Sequence, residues 1–266
     1  MLNRISVPGG QPKLSLHLER EKTRSNARLT LVGLEDDYIL KPQSPQWKKL
    51  SEAEHFCMLL ARHCKIRTAE FGLVPLKSGE LAYITRRMDR ENGHLRHMED
   101  FCQILDKMTS QKYSGSMEQI GKALRKYSNA AGLDSVRLLE LTVFCFLTGN
   151  SDMHLKNFSL LRLEDGRLEL SPAYDLVPMK VILPADTEEL ALTLNGKKNR
   201  LKKGDFECFG NSLKLTPLQI TKTMNRIVEA VEKNLVPTLS ASFLPEMMKT
   251  DIRTLIQNRL FRLMHS

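Results

Sequence analysis

Residues 149–178 read GNSDMHLKNFSLLRLEDGRLELSPAYDLVP, and the fold is decided by how this stretch is read. Asp152 and Asn157 stand in the pattern D-x-x-x-x-N. The runs 158–163 and 167–170 alternate around Glu164-Asp165-Gly166, which predicts a β-hairpin. The hairpin returns the chain to Asp175 in SPAYDLVP. A carboxylate, an amide and a second carboxylate, spaced by a loop and a hairpin, supply one base and two hard oxygen ligands for a cation.

Phosphoryl transfer from ATP requires such a set. In that chemistry Asp152 accepts or orients the proton of the acceptor hydroxyl, and Asn157 and Asp175 bind Mg2+. Lys156, lying between the first two, neutralises charge on the transferred group. Each aspartate alone has an ordinary alternative, Asp175 as a turn residue and Asp152 as a helix cap. The spacing and the hairpin together weigh for catalysis. A histidine in a tight loop more often hydrogen-bonds backbone than titrates, so His154 is read from its surroundings as structural.

Upstream, residues 134–149 predict a helix with Asp134 as N-cap and Gly149 as its stop. It is apolar on nearly every side, so it is buried and delivers the chain rigidly to Asp152. Helical spacing also runs through 97–108 and 116–128. Strands are predicted at 69–74 and 81–86 around a KSGE turn, the second entering RRMDR. In a bilobed kinase the chain crosses between lobes at this point, and its backbone meets adenine.

Two earlier strands, 28–34 and 37–40, end in YILKPQ, where Lys41 is placed like the strand lysine that holds ATP phosphates. The plain alternative is a surface lysine beside a proline turn. Residues 51–63 predict a helix opened by a Ser51–Glu54 capping box. Glu54 has a competing role as the partner of Lys41. Leu14, Leu16 and Leu18 alternate as a strand after Pro8, Gly9, Gly10, Gln11 and Lys13. Those glycines let backbone N–H groups approach phosphates, although an ordinary hairpin turn fits equally. Beyond Asp175, a small hairpin is predicted around 190–196. Helices follow from 204, over 217–236 and over 246–264, with a bend near 237–245.

The chain has 266 residues, 41% hydrophobic and 27% charged, which suits one large domain or two lobes around a cleft. A net charge of +9 favours a polyanionic partner, but the basic runs are scattered and read individually as solvated faces. Five cysteines without C-x-x-C spacing point to a reducing compartment. Residues 1–18 lack the apolar core of a secretory segment, and 138–149 is too short to span a bilayer. A cytoplasmic protein without membrane contact is expected.

The pieces ISVPGGQPK, YILKP, AEHFCMLLA, RRMDR, GNSDMHLKNFSLL, LSPAYDLVP and LALTLNGK occur in this order along the chain. In them the sequence resembles the HipA family of serine/threonine kinases, toxins of bacterial toxin–antitoxin systems. The resemblance implies an α+β, bilobed, protein-kinase-like fold, with a β-rich N-lobe over 1–88 and a mostly helical C-lobe over 89–266. By the same resemblance Asp152 is catalytic, Asn157 and Asp175 bind Mg2+, Lys41 holds the α/β-phosphates and His154 lies against the nucleotide. Pro8, Gly9, Gly10, Gln11 and Lys13 form the loop over the phosphates, and Arg86, Arg87 and Met88 the hinge to adenine. Ser6 falls on the autophosphorylated serine whose modification ejects that loop and switches the kinase off.

Family analogy further implies phosphorylation of an aminoacyl-tRNA synthetase, a HipB-like antitoxin that gives indirect contact with DNA, and a restraining HipS-like protein. HipS accompanies the short HipT toxins, which this chain resembles in beginning at the phosphate loop. Pro12 before Lys13, Arg86 in the hinge and a lone Ser6 depart from the family pattern. Two other readings share the same residues: a catalytically weak subunit of a DNA-binding repressor, and a kinase of small molecules or lipids.

Overall fold

The computed structural model describes residues 13–20, 27–30, 37–91 and 94–265. Its N-terminal part is a five-stranded antiparallel sheet in the order β2-β1-β3-β5-β4. The strands are β1 (Leu14–Arg20), β2 (Ala27–Thr30), β3 (Tyr38–Lys41), β4 (Phe71–Pro75) and β5 (Leu81–Arg86). Helix α1 (Leu50–His63) packs against β4 and β5 through Phe56, Leu60 and the stacked rings of Phe71 and Tyr83. The two-residue strands β6 (Arg90–Glu91) and β7 (His94–Leu95) follow. Next, β8 (Met98–Asp100) pairs with β9 (Ser159–Arg162), which also pairs with β10 (Leu168–Leu170).

The remainder is helical: α2 (Phe101–Ile104), α3 (Met117–Tyr127), α4 (Ala131–Thr148), α5 (Met179–Ile182), α6 (Lys203–Ser212), α7 (Pro217–Ser240) and α8 (Glu246–His265). The apolar helix of the sequence reading is α4, with Leu138, Leu139, Val143, Phe144, Phe146 and Leu147 buried among α3, α6, α7 and α8. Gly149 ends it at φ 74°, where an added Cβ would sit 2.6 Å from Leu255, so both the turn and the packing require glycine. No helix among the described residues is long and apolar enough to cross a membrane.

Several local expectations are corrected. The Ser51–Glu54 capping box does not form, because the helix starts one residue earlier, from Lys49 in the left-handed region. Ser51 instead donates to the Lys41 carbonyl at 3.1 Å, and Glu54 turns to the Lys41 ammonium. Residues 98–100 are strand rather than helix, since cross-strand pairing with β9 outweighs local helical spacing. Asp134 lies inside α4 and is fully buried. There it accepts hydrogen bonds from Ser128, Arg137 and the Leu170 N–H. Helix α7 carries Pro237 internally, which puts the bend after Ser240. The hairpin expected near 190–196 reduces to single bridges at Thr193 and Leu194.

Candidate active site

The cleft lies where the five-stranded sheet meets the helices. One cavity of about 380 Å3 reaches Ile39, Ala69, Tyr83 and the 86–88 hinge. A second, of about 390 Å3, reaches Asp152, His154 and Asn157. Both are lined by Lys13, Lys41, Glu54, Lys156, Tyr174 and Asp175, so the cleft is continuous from residues 86–88 to the loop with Asp152 and Asn157.

At its centre, Lys41 of β3 bridges two carboxylates. Its ammonium lies 2.6 Å from Glu54 on α1 and makes an ion pair with Asp175. Lys13 approaches Asp175 from the far side at 3.7 Å. Lys41 and Glu54 are buried, while Asp175 keeps about a quarter of its side chain exposed. Burial opposes the Lys41 charge, but Asp175 and Glu54 outweigh it and hold the ammonium above its ordinary value. For Asp175, too, burial is outweighed, here by Lys41 and Lys13, and the carboxyl stays well below the usual range. Glu54 is pushed up to about 7, chiefly by burial and against the pull of Lys41. One cation cannot fully offset two carboxylates, and the more buried of them takes the proton more readily.

Asp175 sits at φ 56°, a left-handed conformation that aspartate tolerates better than most residues. The chain reaches it from β10 past Tyr174, whose hydroxyl donates to the Lys156 carbonyl at 2.9 Å and lies 2.6 Å from Ser159 Oγ. In the loop over residues 150–157, Asn157 Nδ2 donates to the Asp152 carbonyl at 3.1 Å, which leaves Oδ1 as the amide's acceptor atom. An ionised carboxylate and an amide oxygen on the same cavity wall suit Mg2+, a hard cation that keeps several waters and phosphate oxygens as its other ligands. Among the described residues no cluster of three or more His, Cys, Asp or Glu is placed to hold a metal ion.

Sequence reasoning missed the partners of this loop. Asp152 Oδ1 accepts from the Tyr113 hydroxyl at 2.5 Å. Lys156 Nζ lies 2.7 Å from Asp100 Oδ2 at the start of α2. Tyr174 lies inside the motif, one residue before Asp175. Tyr113 and Asp100 lie outside the motifs, and only tertiary folding brings them here. Of the residues read as the phosphate loop, Lys13 lines the cleft, whereas Ser6, Pro8, Gly9, Gly10 and Gln11 lie outside the described residues.

After β5, the Arg86 N–H donates to the Glu70 carbonyl and the Arg87 N–H to the Asp37 carbonyl. No hydrogen bond among the described residues engages the Met88 N–H. The Arg86 side chain turns to Glu70 at 3.4 Å, and Arg87 pairs with Asp89 at 2.6 Å.

His154 is buried, with its ring edge-on to Tyr113 at 5.0 Å between centroids, and Nδ1 has no hydrogen-bond partner among the described residues. Burial, and then the nearby Lys112 charge, push its pKa down to about 4. The folded value lies below the unfolded one, so its contribution to stability is present above about 6.5 and is lost as pH falls toward 4. Following the His154 ring protons by NMR is expected to show a neutral imidazole at pH 5. A midpoint near 6.5 would contradict the buried placement.

A small antiparallel sheet with one long helix, set over a helical body with a lysine–carboxylate bridge in the cleft, defines a protein-kinase-like fold. The model of the HipA-like C-terminal domain matches residues 5–235, and the chain belongs to that family. A Sinorhizobium fredii protein provisionally named kinase Y4dM is 30% identical over 239 residues, 85% of this chain and 58% of its own length. The serine/threonine-protein kinase toxin HipA of Shewanella oneidensis is 27% identical over 250 residues, 86% of this chain and 56% of its own. The fold matches the solved complex of Shewanella oneidensis HipA with HipB and operator DNA at a TM-score of 0.80 and 23% identity, covering 98% of this chain and 65% of that one. The chain therefore spans little more than half the length of these two curated relatives.

Proposed function

We propose that the chain is a serine/threonine kinase that transfers the γ-phosphoryl group of Mg-ATP to a protein hydroxyl. The observation that carries this reading is the Lys41 bridge between Glu54 and Asp175, on the same cavity as Asp152 and Asn157. Adenine would lie between the apolar walls of the first cavity, against the Met88 N–H, with the phosphates toward Lys41 and Lys13. Asn157 and Asp175 would hold Mg2+, whose charge neutralises β- and γ-phosphate oxygens when bound. Asp152, held by the Tyr113 hydroxyl, orients the acceptor hydroxyl. The acceptor oxygen bonds to Pγ, the bond from Pγ to the β,γ-bridging oxygen breaks, the proton passes to Asp152, and ADP leaves.

The curated relatives named as kinases support this reading, and the Shewanella toxin supports the serine/threonine class. A toxin role follows by family analogy, with an aminoacyl-tRNA synthetase as acceptor, a HipB-like antitoxin carrying the chain to DNA and a HipS-like protein restraining it. The Shewanella HipA complex with HipB and DNA supports the antitoxin partner. Autophosphorylation at Ser6 is proposed as the off-switch, and Ser6→Asp is expected to weaken ATP binding through repulsion of the phosphates. Unchanged affinity would discredit the switch. Phosphoproteomics after brief expression in a bacterial host tests the acceptor class. New phosphoserine or phosphothreonine sites that depend on Asp152 are expected, and none would argue for a non-protein acceptor.

A further inference from the structure

The sequence places Lys156 between Asp152 and Asn157 as the cation for the transferred group, yet its ammonium is engaged by Asp100 at 2.7 Å. A different lysine stands at the acceptor end of the cleft. Lys112 lines the cavity with Asp152, His154 and Asn157, and it makes no ion pair with any carboxylate among the described residues. Its Nζ lies over the Tyr113 ring, 5.0 Å from the centroid. The hydroxyl of that same ring contacts Asp152 at 2.5 Å, and the ring's edge meets His154.

The backbone holds this arrangement in place. The Lys112 carbonyl accepts the Leu155 N–H at 3.0 Å, which ties the segment directly to the catalytic loop. Lys107 donates to the Ser114 carbonyl, and the Gly115 carbonyl accepts from Thr193. An ammonium with no carboxylate partner among the described residues, on the cavity that Asp152 and Asn157 also line, is placed to meet an anion. Here the anion that the reaction supplies is the γ-phosphoryl group.

We infer that Lys112, rather than Lys156, is the cation that meets the γ-phosphoryl group during transfer. The inference rests on the kinase reading and adds a residue that the D-x-x-x-x-N motif does not contain. The covalent step is unchanged: the acceptor oxygen bonds to Pγ, the β,γ-bridging oxygen departs with ADP, and the proton goes to Asp152. Lys112 gives up no proton. It offsets charge on the equatorial oxygens, and preorganised charges at that position are worth roughly 10²–10³ in rate.

The test compares wild type, Lys112→Met, Lys112→Arg and Lys156→Met. For each protein it measures the affinity for Mg-ADP, the affinity for Mg-AMP-PNP and the single-turnover transfer rate. Lys112 makes no side-chain hydrogen bond among the described residues, so Lys112→Met should melt with wild type. It is expected to bind ADP normally, to bind AMP-PNP about fivefold more weakly and to transfer about 100-fold more slowly. Lys112→Arg keeps the charge and should recover most of the rate. Lys156→Met should not separate the two nucleotides.

Transfer by Lys112→Met within twofold of wild type, or equal weakening of ADP and AMP-PNP, would overturn the inference. So would a loss of nucleotide discrimination in Lys156→Met instead. If wild type binds neither nucleotide and transfers nothing, the kinase reading itself fails and this inference falls with it.

Discussion

Asp152→Asn is expected to slow phosphoryl transfer by about 10²–10⁴-fold while leaving Mg-ATP affinity within twofold of wild type. The substitution keeps an oxygen for the Tyr113 hydroxyl, which lies 2.5 Å from Oδ1, so the loop has little reason to move. It removes the negative charge that draws the acceptor proton, and that charge matters only as the acceptor oxygen bonds to phosphorus. Single-turnover rates and calorimetric ATP binding, measured on the same preparations, separate the two quantities. Equal rates would remove Asp152 from the chemistry. A parallel loss of ATP affinity would move its role to nucleotide binding.

Lys41→Met is expected to abolish measurable ATP binding and also to destabilise the fold by about 3 kcal/mol, because it leaves buried carboxylates without their cation. The stability loss carries a pH signature. Glu54 already has its pKa raised by burial to about 7. Its folded value lies above the unfolded one, so its favourable contribution is complete below about 4.5 and is lost as pH rises through 7. Without Lys41 the carboxyl binds its proton more tightly still. The deficit in urea unfolding should therefore be large at pH 8 and smaller at pH 5.5. The same deficit at both pH values would show that the bridge does not govern the buried carboxylates.

The parts of the molecule legible in the sequence are those encoded locally. Gly149 ends α4 through its own backbone freedom, and Glu164-Asp165-Gly166 turns β9 into β10, so the return of the chain to Asp175 was readable from a few adjacent residues. Lys41 at the end of a strand was readable for the same reason. What escaped depended on distant segments. Glu54 looked like a helix cap because Ser51 precedes it by three residues, and only the folded chain reveals the Lys41 ammonium that claims it. Residues 98–100 carry helical spacing but meet β9, more than fifty residues away in sequence. Asp134 looked like a cap and is instead a buried anchor for the Leu170 N–H. Tyr113 and Asp100 reach the catalytic loop from outside any motif, which is why the immediate surroundings of Asp152 and Lys156 could not be anticipated.

The most direct test of the central claim uses ATP whose γ-phosphoryl oxygens carry 18O, followed by mass spectrometry of the phosphorylated acceptor. The account predicts a serine or threonine phosphate bearing the labelled γ-phosphoryl oxygens, formed with Mg2+ by the wild-type protein and absent with Asp175→Asn. Unlabelled phosphate on the acceptor, or equal labelling by both proteins, would contradict it.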